Sequence, residues 1–333
     1  MTRKSANMAR IRPVPSVASE PVPDLSFIVP AFNEEDNIAE TLRRIEAEAG
    51  QLVARHEIIL IDDGSSDATF ETAIQAGRAM PLRVIRLSRN FGKEQAIMAG
   101  LQASKGAAVV ILDADLQEPL CHLKTMLEHR AAGYEMIFAT RAHRADEGLS
   151  KRLFTRLFYW LLNRGAETEI PPDARDFRLM DRKVVNALCA LPERNRFMKG
   201  LYGWVGFRSI AVPIELERRQ NGTSKFGFRG LMRLGMTGMT SFTNWPLRVW
   251  TGIGFAIAAL AILYGLWITA RTLIFGVDVP GWSTLTVAIF LLGGVQLISI
   301  GVLGEYLARI FTEVKGRPGF IIADDVVSAP RGL

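Results

Sequence analysis

The sequence predicts an α/β protein built on a mostly parallel sheet, followed by a C-terminal hairpin of two membrane-spanning helices. Three observations predict it. Short, continuously apolar β-type runs alternate with helical patterns over residues 25–140, as expected when helices cover both faces of a parallel sheet. Acidic clusters follow the first, second and fourth of these runs, at the strand ends where open α/β sheets bind their ligands. Two long uncharged runs, 249–270 and 279–304, then lie nearly back to back.

Taken in order, Ser26-Phe27-Ile28-Val29-Pro30 reads as the first strand. Residues 33–49 read as a helix whose early Glu34, Glu35 and Asp36 favour its N-terminal dipole. A second strand, 57–61, ends in Asp62-Asp63-Gly64-Ser65, and a helix over 67–79 follows with Ser66 as its expected N-cap. A third strand covers 82–87 and a helix 93–103. The fourth strand, 107–112, runs into Asp113-Ala114-Asp115, and a further strand over 136–140 precedes Arg141.

Composition sets limits on function. With 333 residues, 49% apolar and 22% charged, the chain is neither a disordered polymer nor a collagen-like fibre, and it has room for about two domains. Lys plus Arg exceed Asp plus Glu by 40 to 34, which suits an anionic surface or anionic ligands. The two cysteines, Cys121 and Cys189, have no companions at disulfide-framework or zinc spacing. Residues 1–24 lack an apolar signal-peptide core and read as a disordered basic tail.

The uncharged runs are each long enough to cross a hydrocarbon core of about 30 Å at about 1.5 Å per residue. Spans are expected over 249–270 and 282–304 of a 247–304 hairpin; the alternative is a pair of buried helices in a large soluble core. Basic residues flank the pair outside, with Arg248 before and Arg309, Lys315 and Arg317 after, whereas the connecting segment is nearly neutral. Both termini are therefore expected on the cytosolic side. That leaves a cytosolic body over 25–226, a juxtamembrane amphipathic helix over 227–246 and a cytosolic C-terminal segment over 305–333. Residues 149–162 also combine a basic face with Leu and Phe, a pattern that suits either the membrane interface or packing on the sheet.

Asp113 and Asp115 can bring two carboxylates to one divalent cation if the chain turns between them, and Gln117 can add a carbonyl oxygen. Hard oxygen ligands suit Mg or Mn. An isolated Asp-x-Asp also serves simply to end a strand through side-chain-to-backbone turns; three acidic clusters on one edge favour the cation. No Gly-x-Gly-x-x-Gly follows the first strand, and no Gly-x-x-x-x-Gly-Lys-Ser/Thr occurs. A receiver-like regulatory domain would share acids at strand ends but leaves the apolar helices unexplained.

Four segments resemble the family 2 glycosyltransferases of GT-A fold: Ile28-Val29-Pro30-Ala31-Phe32-Asn33-Glu34-Glu35, Ile61-Asp62-Asp63-Gly64-Ser65-Ser66-Asp67, Arg89-Asn90-Phe91-Gly92-Lys93 and Asp113-Ala114-Asp115-Leu116-Gln117. Three more resemble its polyprenyl-phosphate branch, which includes dolichol-phosphate mannosyltransferases and bactoprenol glucosyltransferases: Asp176-Phe177-Arg178-Leu179-Met180, Arg219-Gln220-Asn221-Gly222-Thr223-Ser224-Lys225-Phe226 and Gly304-Glu305-Tyr306-Leu307-Ala308-Arg309.

The resemblance implies a GT-A domain in which Pro30, Phe32, Glu34, Asp62, Asp63, Lys93 and Asp113 bind the nucleotide sugar. Phe32 is equally suited to ordinary packing. Asp113, Asp115 and Gln117 would hold Mg or Mn, which offsets charge on the departing diphosphate. Asp115 and Asp176 are the implied catalytic acids, and Asp176 would orient or deprotonate an acceptor phosphate; its alternative role is an ion pair with Arg175 or Arg178. Arg141, Lys151, Arg152, Arg219 and Lys225 are candidates for gripping phosphates, though each could equally be a solvated surface charge.

The implied activity is inverting transfer of a sugar, with a UDP-linked hexose the expected donor, to undecaprenyl phosphate at the cytosolic face of a bacterial inner membrane. Expected partners are the nucleotide sugar, the lipid phosphate and the membrane, with no nucleic acid; homo-oligomers are common in this branch. Two rivals stand beside it. A processive polysaccharide synthase would carry Gln-x-x-Arg-Trp and more spans, and a non-catalytic membrane nucleotide sensor would bind without transfer.

Overall fold

Ile58, Ile59, Leu60 and Ile61 are wholly buried, as are Val109, Val110 and Ile111, so the strands they form are covered on both faces. The computed structural model describes residues 22–115, 118–141, 174–194, 196–215, parts of 254–275, and 281–328. Strands β1 (Leu25–Ala31), β2 (His56–Asp62), β3 (Leu82–Leu87), β4 (Ala108–Ile111), β5 (Met136–Arg141), β6 (Ala174–Asp181), β7 (Ser209–Ile214) and β8 (Ile322–Val327) form one sheet in the order β7-β5-β6-β4-β1-β2-β3-β8. Pairs β1–β2, β1–β4, β2–β3 and β5–β7 are parallel, whereas β6 and β8 run antiparallel to their neighbours. The described helices are α1 (Ile38–Leu52), α2 (Thr69–Ala76), α3 (Lys93–Ala103), α4 (His122–Ala131), α5 (Arg182–Ala190), α6 (Met198–Trp204) and α7 (Trp282–Val314).

The predicted elements through β5 are all present, with ends shifted by a few residues. α1 starts at Ile38 and not at residue 33, because Asn33 takes a left-handed φ of 54° and the chain turns before the helix begins. Ser66 does not cap α2. Ala68 is the N-cap, and Asp67 accepts from the Thr69 N–H at 3.0 Å. Pro30 is tolerated in a central strand because the β1–β4 ladder ends at Ile28–Ile111, short of the proline.

Chain order runs β1, β2, β3 to one side and then returns to β4 on the other. That reversal opens a crevice at the carboxyl ends of β1 and β4.

The second predicted span lies within α7, which at 33 residues is about 50 Å long. Its stretch Leu291–Val314 is long and apolar enough to cross a membrane, and none of its described side chains is buried in protein. The described residues of 254–275 are helical; the remainder of the first predicted span, and the segments 149–162 and 227–246, lie outside the described residues. After Gly316, at φ 67°, the chain returns to the sheet as β8 against β3, held by a two-pronged pair in which Arg83 Nε and Nη2 donate to Asp325 at 2.9 and 2.7 Å.

Candidate active site

The crevice is built by three strand ends. After β1, the Asn33 N–H donates to Ser65 Oγ at 3.0 Å and the Glu34 N–H to Thr69 Oγ1 at 2.9 Å, while Asn33 Oδ1 accepts from the Ser66 N–H at 2.9 Å. These bonds fasten the first loop to the second and support the unusual φ of Asn33, the kind of conformation that clusters at functional sites. Glu34 Oε2 accepts from Asn37 Nδ2 at 2.9 Å, Pro30 is buried within β1, and Phe32 stands 38% exposed.

Asp62 and Asp63 are both buried and turn their oxygens toward protein. Asp62 Oδ1 accepts from the Ser65 N–H at 2.9 Å, and its Oδ2 lies 3.4 Å from Arg86 Nε. Asp63 accepts from the Phe91 and Gly92 N–H groups at 2.8 and 2.9 Å. Burial raises the Asp63 pKa, and these two backbone bonds oppose it. The acid thus holds the turn that delivers Lys93 as the first residue of α3.

Lys93 is the centre of the constellation. Its Nζ lies 2.5 Å from Asp113 Oδ1, beyond β4, and 2.5 Å from Asp176 Oδ2 on β6. Burial alone would lower the ammonium's pKa, but Asp113 and then Asp176 outweigh it and hold it well above an ordinary lysine. Burial likewise disfavours ionised Asp176, yet Lys93, with Lys199 second, brings its carboxyl down to about 2. Asp176 therefore pairs with Lys93, and its sequence neighbours turn elsewhere. Arg175 pairs with Glu118 at 3.2 Å, and Arg178 is buried with its guanidinium 3.4 Å from the centroid of the Tyr202 ring.

The Asp113–Asp115 turn is anchored to α1 by Thr41 Oγ1, which donates to the Ala114 carbonyl at 2.6 Å. Asp113 and Asp115 offer the hard oxygens a divalent cation needs, and one of Asp113's oxygens is taken by the Lys93 ammonium. Among the described residues no group of three or more His, Cys, Asp or Glu side chains gathers as a metal cluster. Gln117 lies outside the described residues, as do Lys151, Arg152, Arg219 and Lys225, and Arg141 is described only as the last backbone position of β5.

Sequence reasoning passed over Glu94 and Glu118. Burial first, and then the charges of Asp176 and Asp113 respectively, push each to about 7. Their signal was adjacency: Glu94 follows Lys93 directly, and Glu118 extends the Asp113–Gln117 run by one acid.

Comparison with known proteins follows the same division of the chain. Residues 26–189 match the model of "Glycosyl transferase family 2", and residues 245–310 match that of "GtrB C-terminal hairpin". The prophage SfII bactoprenol glucosyl transferase of Shigella flexneri is 44% identical over 300 residues, covering 90% of this chain and 97% of that protein. The prophage bactoprenol glucosyl transferase homolog of Escherichia coli K12 is 43% identical over 303 residues, covering 90% and 98%. A Synechocystis glycosyltransferase is 43% identical over 302 residues, covering 90% and 95%. Among solved structures, mannosyl-3-phosphoglycerate synthase of Rubrobacter xylanophilus aligns with TM-score 0.45 at 19% identity, over 65% of this chain and 71% of that one.

Proposed function

Because the chain belongs to glycosyl transferase family 2 and carries the GtrB C-terminal hairpin, we propose that it moves a sugar from a nucleotide diphosphate donor, a UDP-linked hexose, to undecaprenyl phosphate at the cytosolic face of a bacterial inner membrane. The observation that carries this reading is the meeting of Asp113, Lys93 and Asp176 at the carboxyl ends of the strands, where the charge of a diphosphate would lie.

In the proposed reaction a phosphate oxygen of the lipid attacks the anomeric carbon from the side opposite the leaving group. The new carbon–oxygen bond forms as the bond to the diphosphate breaks, and the electron pair departs with the nucleoside diphosphate, inverting the configuration. A phosphate is already an anionic nucleophile, so positioning and charge neutralisation matter more than strong proton abstraction. Asp176 orients the acceptor phosphate, Phe32 offers an exposed ring for the base, and Glu34 lines the same loop. Arg141, Lys151, Arg152, Arg219 and Lys225 are the proposed phosphate grips. Asp113, Asp115 and Gln117 would hold Mg or Mn, which supplies Lewis-acid neutralisation of the leaving diphosphate.

The return of the C-terminal chain to the sheet as β8 supports an even number of membrane crossings. The segment before the hairpin leaves the catalytic domain, and the segment after α7 is hydrogen-bonded into it, so two spans with both flanks on one side satisfy the connectivity. The basic residues flanking the hairpin favour the cytosol for that side.

A radiolabelled transfer assay with full-length protein, undecaprenyl phosphate and a panel of sugar nucleotides tests the proposal. Chloroform-extractable sugar that is lost in excess EDTA is the expected result. No lipid-linked product with any donor would point to a nucleotide sensor, and a growing polysaccharide to a processive synthase.

A further inference from the structure

Lys93 occupies an unusual place for a lysine. It opens α3, where the helix dipole disfavours a positive charge, and its ammonium sits between two carboxylates brought together from β4 and β6. The backbone beneath it is pinned, since Asp63 holds the N–H groups of both preceding residues. The side chain above is 43% exposed, so the flexible stem can swing its head group without disturbing the helix.

We propose that Lys93 is a resident counter-ion which keeps divalent cation out of the Asp113 site until a donor diphosphate arrives, thereby coupling cation entry to donor entry. This rests on the proposed cation at Asp113 and Asp115. A divalent ion on Asp113 would stand against the ammonium that now touches the same carboxylate, and like charges at that separation repel strongly. Cation alone must therefore displace Lys93 from Asp113 with no new anion in return. Cation together with a diphosphate brings the ammonium a replacement partner, and the lysine passes from the carboxylates to the phosphate oxygens. Cation and nucleotide are then linked reciprocally: each raises the affinity for the other by the same factor.

The coupling also gives the site a resting state. Lys93 neutralises one of two adjacent carboxylates and holds Asp113 and Asp176 in register while no donor is bound. Donor binding removes that tie at the moment the acceptor phosphate needs Asp176. Free cation would not by itself rearrange the site.

The test is Mn2+ binding to full-length protein in nanodiscs, followed by electron paramagnetic resonance of the free ion, with and without uridine diphosphate. Wild type should bind Mn2+ weakly alone and more tightly with the nucleotide. Lys93→Gln should bind Mn2+ alone at least about tenfold more tightly than wild type, with the nucleotide-dependent gain reduced, a range typical of coupled sites. Lys93→Arg, which keeps the charge, should retain the wild-type coupling. Nucleotide-free affinity in Lys93→Gln equal to or weaker than wild type overturns the inference while leaving the cation site standing. Absence of any Mn2+ that Asp115→Asn removes, even with nucleotide present, defeats the cation reading itself and this inference with it.

Discussion

Arg194 and Glu313 fasten the end of the apolar helix to the catalytic domain. The Arg194 N–H lies 3.1 Å from both carboxylate oxygens of Glu313; its Nη1 donates to the Glu313 carbonyl at 3.1 Å and its Nε to the Arg317 carbonyl at 2.7 Å. The Arg194 carbonyl in turn accepts from Gln95 Nε2 at 2.7 Å, two residues beyond Lys93. One arginine thus ties together the apolar helix, the returning tail and the helix that opens with the central lysine.

Arg194→Ala removes the side-chain bonds but keeps the backbone ones, at a cost of about 1–3 kcal/mol. Hydrogen exchange in β8 should accelerate. Transfer to undecaprenyl phosphate in vesicles should fall, whereas transfer to a short, water-soluble prenyl phosphate should not. Equal loss on both acceptors would show that the clasp supports the fold and does not set the domain against the bilayer.

Gly64 and Gly92 both have positive φ but should respond differently to alanine. A Cβ on Gly64 would lie 2.5 Å from the Arg89 carbonyl carbon and 2.8 Å from the Asn90 nitrogen, both backbone atoms, whereas nothing stands within 4 Å of one on Gly92. Gly92→Ala should cost about 1–3 kcal/mol, from conformation alone. Gly64→Ala adds steric overlap to a similar strain and should lower the apparent Tm further. Comparable melting of the two variants would contradict the close approach of these loops.

The early strands were legible because burial on both faces demands unbroken apolar runs, and Ile58 to Ile61 supply one. β6 was not, because Arg175, Asp176 and Arg178 interrupt it with charge. Those charges are balanced by groups from elsewhere in the chain: Lys93 for Asp176, Glu118 for Arg175 and the Tyr202 ring for Arg178. β8 escaped for a related reason. It is an edge strand carrying Asp324 and Asp325, and its match is Arg83, far back in the chain. The acids of the site were visible as clusters after strands, but the tie between Lys93 and Asp176 crosses 83 positions and has no local pattern.

Asp176→Asn leaves Lys93 held by Asp113 alone and, in the proposed reaction, removes the group that orients the acceptor phosphate. Transfer should fall by at least about a hundredfold, the range for a lost acid–base or orienting group, with a lower melting temperature as well, since the pairing that depresses the Asp176 pKa also stabilises the fold. The Km for the sugar nucleotide should change less than the turnover. Near-wild-type turnover would remove Asp176 from the catalytic role and leave it only as a partner of Lys93.

Glu94 makes stability depend on pH in a direction opposite to a surface carboxylate. Its Oε2 accepts the Met198 N–H at 3.0 Å, but burial and the charge of Asp176 raise its pKa from the ordinary 4.5 to about 7. The folded state therefore binds a proton that the unfolded chain releases above its ordinary pKa. Its contribution is fully favourable below about pH 4.5 and declines as pH rises toward 7; above that the ionised, buried form costs up to about 3 kcal/mol. Glu94→Gln retains an oxygen for the Met198 N–H without the charge. The variant should melt higher than wild type at pH 8.5, and the difference should shrink steadily toward pH 5. A difference that is constant with pH would show that Glu94 titrates as an ordinary carboxylate, and one that grows toward acid would show that ionised Glu94 stabilises the fold.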